Sequence, residues 1–194
     1  MLACCGVLLT VVAGCSDDRG SRSSLPAASP TRAAIESIGD LEVSDETGQK
    51  KRIMDYATAD KLVVVFSRGF SGTVCPFCCS QTQSLASNYA RIKAEKSEVL
   101  VVFPIQDAME KKHSIELVEA ARIVLKDANA ELPFPLAYDV QAMAVDQLGI
   151  RAALAMPATF ILDKQGKVRF SYVGRDPADR PRVEAIIKQL KSIQ

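Results

Sequence analysis

The sequence predicts one α/β domain in three layers, with helices on both faces of a central mixed β-sheet and a β-hairpin at its N-terminal end. Three observations carry this prediction. Residues 62–66 (LVVVF) and 99–103 (VLVVF) are continuous apolar runs rich in β-branched residues, the pattern of strands buried on both faces. A stretch of helical periodicity lies between them, as a crossover between parallel strands requires. Residues 159–162 and 168–173 flank Asp163-Lys164-Gln165-Gly166, a turn that sends the chain back antiparallel.

Each element follows from local chemistry. Residues 41–43 and 51–54 flank Glu46-Thr47-Gly48-Gln49, a hairpin. A helix is expected over 81–95, with Leu85, Tyr89 and Ile92 at helical spacing. Ser114 is placed to cap a helix running to about 128, with Ile115, Val118, Ala121, Val124 and Leu125 on one face. Pro133-Phe134-Pro135-Leu136 opens a short extended segment, and 140–148 reads as a short helix closed by Gly149. A final helix is expected over 178–193, with Asp179 as its cap and Pro181 in its first turn. No repeat of fixed period is present, so the domain is a single unit over 34–194.

The 194 residues are 48% hydrophobic and 24% charged, which is globular composition. A net charge of +1 lacks the basic footprint of a nucleic-acid binder, and a chain without Trp offers few stacking platforms for bases. Six cysteines are too few for a disulfide-stapled scaffold. They fall in two clusters: Cys4, Cys5 and Cys15, then Cys75, Cys78 and Cys79.

Residues 1–14 have the size of a signal-peptide apolar region ending in small residues, too short to span a bilayer as a helix. Val12-Ala13-Gly14-Cys15 resembles the lipobox of bacterial lipoproteins, although only the amine of Met1 supplies positive charge ahead of it. That resemblance implies cleavage before Cys15, lipidation of Cys15 and loss of Cys4 and Cys5 with the signal. Residues 15–33 are small, polar and Pro-broken, the composition of a flexible tether. The expected location is extracytoplasmic, anchored by lipid to a bacterial membrane on its periplasmic side or at the outer membrane.

The second cluster carries the chemistry. Cys75 and Cys78 form a C-x-x-C pair where a loop becomes a helix. A sulfur at a helix start faces unsatisfied N–H groups and the positive end of the helix dipole, which favour thiolate over thiol. Pro76 suits the first helical position, and Cys78 lies one turn on, on the same face as Cys75. A zinc site needs about four ligands, whereas this chain adds a single His, His113, and no second Cys pair. A purely structural disulfide over so short a loop gains little chain entropy. Cys79 is read as a small apolar residue turned to the core, with an alternate resolving thiol as the second option. His113, beside Glu110, Lys111 and Lys112, reads as a solvated loop residue.

KLVVVFSRG followed by VCPFC, then EVLVVFPIQD, LPFPLAYDVQAMAVDQLGI and MPATFILDKQGKVRFSYVG resemble the thioredoxin-fold redoxins, most nearly the alkyl hydroperoxide reductase/thiol-specific antioxidant group with its peroxiredoxins. The resemblance implies a thioredoxin-like fold from about residue 38 to the C-terminus. Met156-Pro157 looks like the cis-proline loop of such oxidoreductases, which implies substrate binding by Met156, Pro157 and Pro76 beside the cysteines. The peroxiredoxin pattern is incomplete. Its Pro and Thr ahead of the peroxidatic Cys correspond to Arg68 and Gly72, with Thr73 one place off, and its later Arg corresponds to Pro157. Arg68, Thr73 and Cys79 are therefore auxiliary candidates.

The expected activity is thiol–disulfide exchange with protein thiols and disulfides, fed by an electron donor, with Cys75 attacking and Cys78 resolving and with no metal or other cofactor. The alternative is a thiol peroxidase that reduces hydroperoxides through Cys75. A minor alternative is a copper-binding module using Cys75 and Cys78 as soft ligands.

Overall fold

The computed structural model describes residues 38–193. Seven strands form one sheet: β1 (Glu42–Ser44), β2 (Lys50–Arg52), β3 (Lys61–Phe66), β4 (Ser97–Ile105), β5 (Leu136–Val140), β6 (Ala158–Asp163) and β7 (Val168–Val173). Their order across the sheet is β2-β1-β5-β4-β3-β6-β7. The pairs β3–β4 and β4–β5 are parallel, and every other pair is antiparallel. The expected mixed sheet and three-layer arrangement are present.

The helices are α1 (Pro76–Ser87), α2 (Tyr89–Ala94), α3 (Ile115–Leu125), α4 (Met143–Gln147) and α5 (Val183–Ser192). Stepping from β3 to β4 to β5 in one direction, right-handed crossovers put α1, α2 and α3 on one face, where α5 joins them. Leu85, Ile92, Leu117, Ile186 and Leu190 meet Val63, Val65, Val99 and Val101 there. On the other face Val64, Phe66 and Phe160 pack with Ile53, Val145 and Ile150. The alternate side chains of β3 thus enter two separate cores.

Five expectations are corrected. The helix expected over 81–95 begins earlier, at Pro76, and breaks at Asn88, whose side-chain amide donates to the Ser84 carbonyl at 2.9 Å and to the Ser87 hydroxyl. Such local bonds compete with the helix ladder. Ser114 stands at the N-cap position of α3 as expected, but its side chain makes no cap bond: it also ends a 3-10 segment (Ala108–Ser114) whose cap is Asp107, which accepts from the Met109 N–H at 2.7 Å, while the Ser114 hydroxyl bonds the Lys111 carbonyl and the Tyr138 hydroxyl. The buried face of α3 is Leu117, Ala120 and Ala121, with Ile115 and Val124 exposed. Glu116, Glu119 and Arg122 form a charged stripe on the opposite side of that helix, so the charges rather than the bulkiest apolar residues mark its inner face, and the small alanines permit close approach to neighbouring elements. Val140 ends β5 rather than starting a helix. Asp179 does not cap the last helix either; α5 starts after Arg182, and the Asp179 carboxylate accepts from the Tyr172 hydroxyl and from Arg175.

The loop after β3 is held down by a backbone contact. Gly69 has φ +86°, and a Cβ there would come within 2.5 Å of the Pro104 carbonyl oxygen of β4. Gly69→Ala is expected to destabilise the domain by about 2 kcal/mol or more through strain and that clash. Chemical denaturation measures it, and an unchanged midpoint contradicts the contact.

Candidate active site

The chain leaves β3 at Phe66, which pairs with Val102 of β4 and Ala158 of β6. Ser67 extends this by donating its N–H to the Val102 carbonyl at 2.9 Å. A short bridge between Phe70 and Val74 then closes a loop whose tip, residues 71–73, is exposed. Cys75 follows as the N-cap of α1, with Pro76 in the first turn. Its carbonyl accepts the N–H groups of Cys78 at 2.8 Å and Cys79 at 3.2 Å, which starts the helix directly under the sulfur.

Cys75 is 9% exposed and Cys78 1%, and both are free thiols. Burial is the largest influence on Cys75 and pushes its thiol up. The N–H groups of Cys78 and Phe77, the Arg180 charge and the Cys78 thiol together outweigh it, so the thiol ends below its ordinary range. No cap hydrogen bond closes on the Cys75 sulfur, so the N–H groups act there as oriented dipoles. Cys78 goes the other way. Its burial dominates the opposing Arg180 guanidinium and Arg68 N–H, and its thiol is raised. The pair therefore consists of one thiol shifted toward thiolate and one shifted away from it.

Two groups contact the Cys78 sulfur. The backbone N–H of Arg68 reaches it at 3.3 Å, and a guanidinium nitrogen of Arg180 at 3.1 Å. A second Arg180 nitrogen donates to the Gln81 side-chain carbonyl of α1, and its Nε to the Pro177 carbonyl at 3.1 Å. Arg180 and Gln81 were not foreseen. Arg180 stands 102 residues from Cys78, in the lead into α5, and carries no motif of its own. A cleft of about 390 Å³ lies beside these groups, lined by Phe77, Gln81, Ser84, Arg180, Arg182 and Ile186, with Phe77 48% exposed.

Among the described residues, three of the four buried side-chain polar atoms without a partner also belong to this end of the sheet: Ser67 Oγ, Arg68 Nε and Thr159 Oγ1. Thr159 pairs with Val65 one step before the end of β3. Orphaned buried polar groups are uncommon, and these stand at the strand end from which the loop to the cysteine pair departs.

The remaining candidates divide. Met156 and Pro157 precede β6 at the same end of the sheet, since Ala158 pairs with Phe66. Their peptide bond is not cis; among the described residues no bond is. The Met156 N–H is taken by the Ile150 carbonyl and the Pro157 carbonyl accepts from the Gly174 N–H, both at 2.8 Å, so these two groups continue the internal ladder rather than facing a partner strand. Gly174 is pinned there, because a Cβ would meet the Asp179 carbonyl oxygen at 2.2 Å. The Thr73 hydroxyl bonds the Val74 carbonyl at 3.4 Å. Cys79 is half-buried against the core, its thiol donating to the Glu116 carbonyl of α3 at 3.8 Å, and burial raises it first, the neighbouring Cys78 next. His113 is only partly solvated: its ring stacks on Phe70 with centroids 3.6 Å apart and planes within 5°. Cys15 and the tether lie outside the described residues. Among the described residues no three His, Cys, Asp or Glu side chains cluster as a metal site requires, and no helix is long and apolar enough to cross a membrane.

Residues 36–171 match the model of the AhpC/TSA family. No curated protein matches the chain. Among solved structures it is similar to the peroxidoxin BcpB of Mycobacterium tuberculosis (18% identity, 83% of this chain and 97% of that one, TM-score 0.63). It is also similar to a peroxiredoxin 6 of Arenicola marina (18%, 84% and 74%, 0.65) and to a putative thiol:disulfide interchange protein DsbE of Chlorobium tepidum (20%, 81% and 98%, 0.54). At these identities the likeness establishes a thioredoxin-like fold.

The opposed environments of the two thiols give a direct test. Iodoacetamide at neutral pH is expected to alkylate Cys75 well before Cys78, and Cys78 is expected to react only as the pH rises above the ordinary thiol range. Peptide mass spectrometry over a pH series reads both, and faster labelling of Cys78 contradicts the assignment.

Proposed function

Because the chain belongs to the AhpC/TSA family, we propose that it works as a thiol–disulfide oxidoreductase of the cell envelope, cycling Cys75 and Cys78 between dithiol and disulfide. The observation that carries this reading is the asymmetry of the pair: a lowered thiol at the start of α1 and a buried, raised thiol one turn along. Cys75 is the attacking thiolate and Cys78 the resolving thiol, with protein thiols and disulfides as partners. The exposed Phe77 and the cleft beside it give a partner polypeptide apolar surface next to the pair. One structural neighbour, a putative thiol:disulfide interchange protein, is named for this chemistry.

The test is turnover of a protein disulfide such as that of insulin, with dithiothreitol as donor. Cys75→Ser is expected to abolish it. Cys78→Ser is expected to retain attack and accumulate a mixed disulfide. A second reading, reduction of hydroperoxides through Cys75, draws on the same lowered thiol and on the peroxidoxin and peroxiredoxin among the structural neighbours. The Thr73 hydroxyl, engaged by the Val74 carbonyl, counts against it. Stopped-flow oxidation by hydrogen peroxide decides: rapid oxidation at micromolar peroxide together with absent insulin turnover reverses the order of the two readings.

The envelope location rests on the lipobox-like residues around Cys15 and the polar tether after them. A lipid anchor at Cys15 predicts that the chain incorporates labelled palmitate in bacteria and fractionates with membranes. Cys15→Ala is expected to release it, and a membrane-bound Cys15→Ala protein contradicts the anchor.

A further inference from the structure

We propose, on the basis of the thiol–disulfide reading above, that Arg180 is a third catalytic residue, the group that readies buried Cys78 to resolve the mixed disulfide, with Gln81 as its positioning residue. Resolution asks a thiol with 1% exposure to become an anion. Burying an uncompensated charge is prohibitive, so the thiolate needs a fixed donor already in place. Arg180 provides one. Its guanidinium is tied to Gln81 of α1 and to the Pro177 carbonyl, which aims a remaining N–H at the Cys78 sulfur, 3.1 Å away. Among the described residues no carboxylate forms an ion pair with it, so its charge is available to sulfur. The planar fork can hold Gln81 and the sulfur at once, which a lysine ammonium would not reproduce.

The step balances as follows. The Cys75 thiolate attacks a partner disulfide, forming a Cys75–partner disulfide and releasing one partner thiolate. Cys78 loses its proton to solvent or to that leaving thiolate, and the bond from Arg180 becomes charge-assisted. The Cys78 thiolate then attacks the Cys75 sulfur. The Cys75–Cys78 disulfide forms and the second partner thiolate leaves. The partner disulfide gains two electrons and the pair loses two. Arg180 is within bonding distance of Cys78 and acts on Cys75 through charge alone, so its loss weighs more on resolution than on attack.

The test uses the full chain with Cys4, Cys5, Cys15 and Cys79 replaced by Ser, so that the pair supplies all the thiols. Reaction with the chromogenic disulfide dithiobis(nitrobenzoate) then releases one thiolate in a bimolecular phase, by attack of Cys75. It releases a second in a concentration-independent phase, by resolution. Arg180→Met is expected to slow the second phase about ten- to a hundredfold, the loss of a hydrogen bond to a charged group, and to move its pH midpoint upward. Arg180→Lys is expected to recover the first phase but not the second. Gln81→Ala is expected to slow the second phase more than the first, and it tests the same geometry if the Arg180 variants do not fold. A second phase of unaltered rate and pH profile in the folded variants overturns the proposal and leaves the redox reading intact. Release of a single thiolate by the parent chain, or a second phase that survives Cys78→Ser, overturns the redox reading itself.

Discussion

The five residues from Leu62 to Phe66 of β3 are each at most 2% exposed, and no polar side chain among them can face water. A strand of that kind has to be covered on both faces and paired on both edges. The rest of the domain meets those demands: parallel pairing to β4 on one side, antiparallel pairing to β6 on the other, and one core above and another below. The carboxyl end of β3 is where coverage stops. The chain there must emerge, turn over Pro104 at Gly69 and start a helix, and the cysteine pair stands at that start.

The two sulfurs share a turn of helix yet experience opposite fields. Cys75 sits where N–H dipoles converge and a guanidinium charge is felt, and these together exceed the penalty of burial. Cys78, deeper by one turn, meets a penalty its two donors do not offset. Thiol–disulfide exchange needs this inequality, because one sulfur has to react with the outside before the other reacts with it. The polar atoms without partners at Ser67, Arg68 and Thr159 belong to the same strand end, where protein interior gives way to a reactive surface.

Local patterns in the sequence were enough to read what depends on neighbours in the chain. The apolar runs fixed β3 and β4, the turn at 163–166 fixed the β6–β7 hairpin, and the strand–loop–C-x-x-C–helix order located Cys75 and Cys78. What depends on distant contacts was not legible. The lead into α5 holds Arg180 against Cys78 across 102 residues, and neither residue announces the other. The same holds for His113, whose flanking charges read as solvated surface while Phe70 stacks on its ring. Ser114 and Asp179 have the right chemistry for helix caps, but Tyr138 and Tyr172 compete for their oxygens from elsewhere in the fold. On α3 the large apolar residues Ile115 and Val124 are exposed, and the inner face is instead the one opposite the charged stripe of Glu116, Glu119 and Arg122.

Arg180 lies beyond residue 171, where the match to the family pattern ends. The segment that places a charge beside the pair thus stands 102 residues along the chain from the segment that contains it. Two chains with an identical Cys-Pro-Phe-Cys turn, differing only in the approach to the last helix, would hold their thiols at different redox poise. A change in the approach to the last helix would then alter the charge felt by both thiols while leaving the cysteines themselves in place.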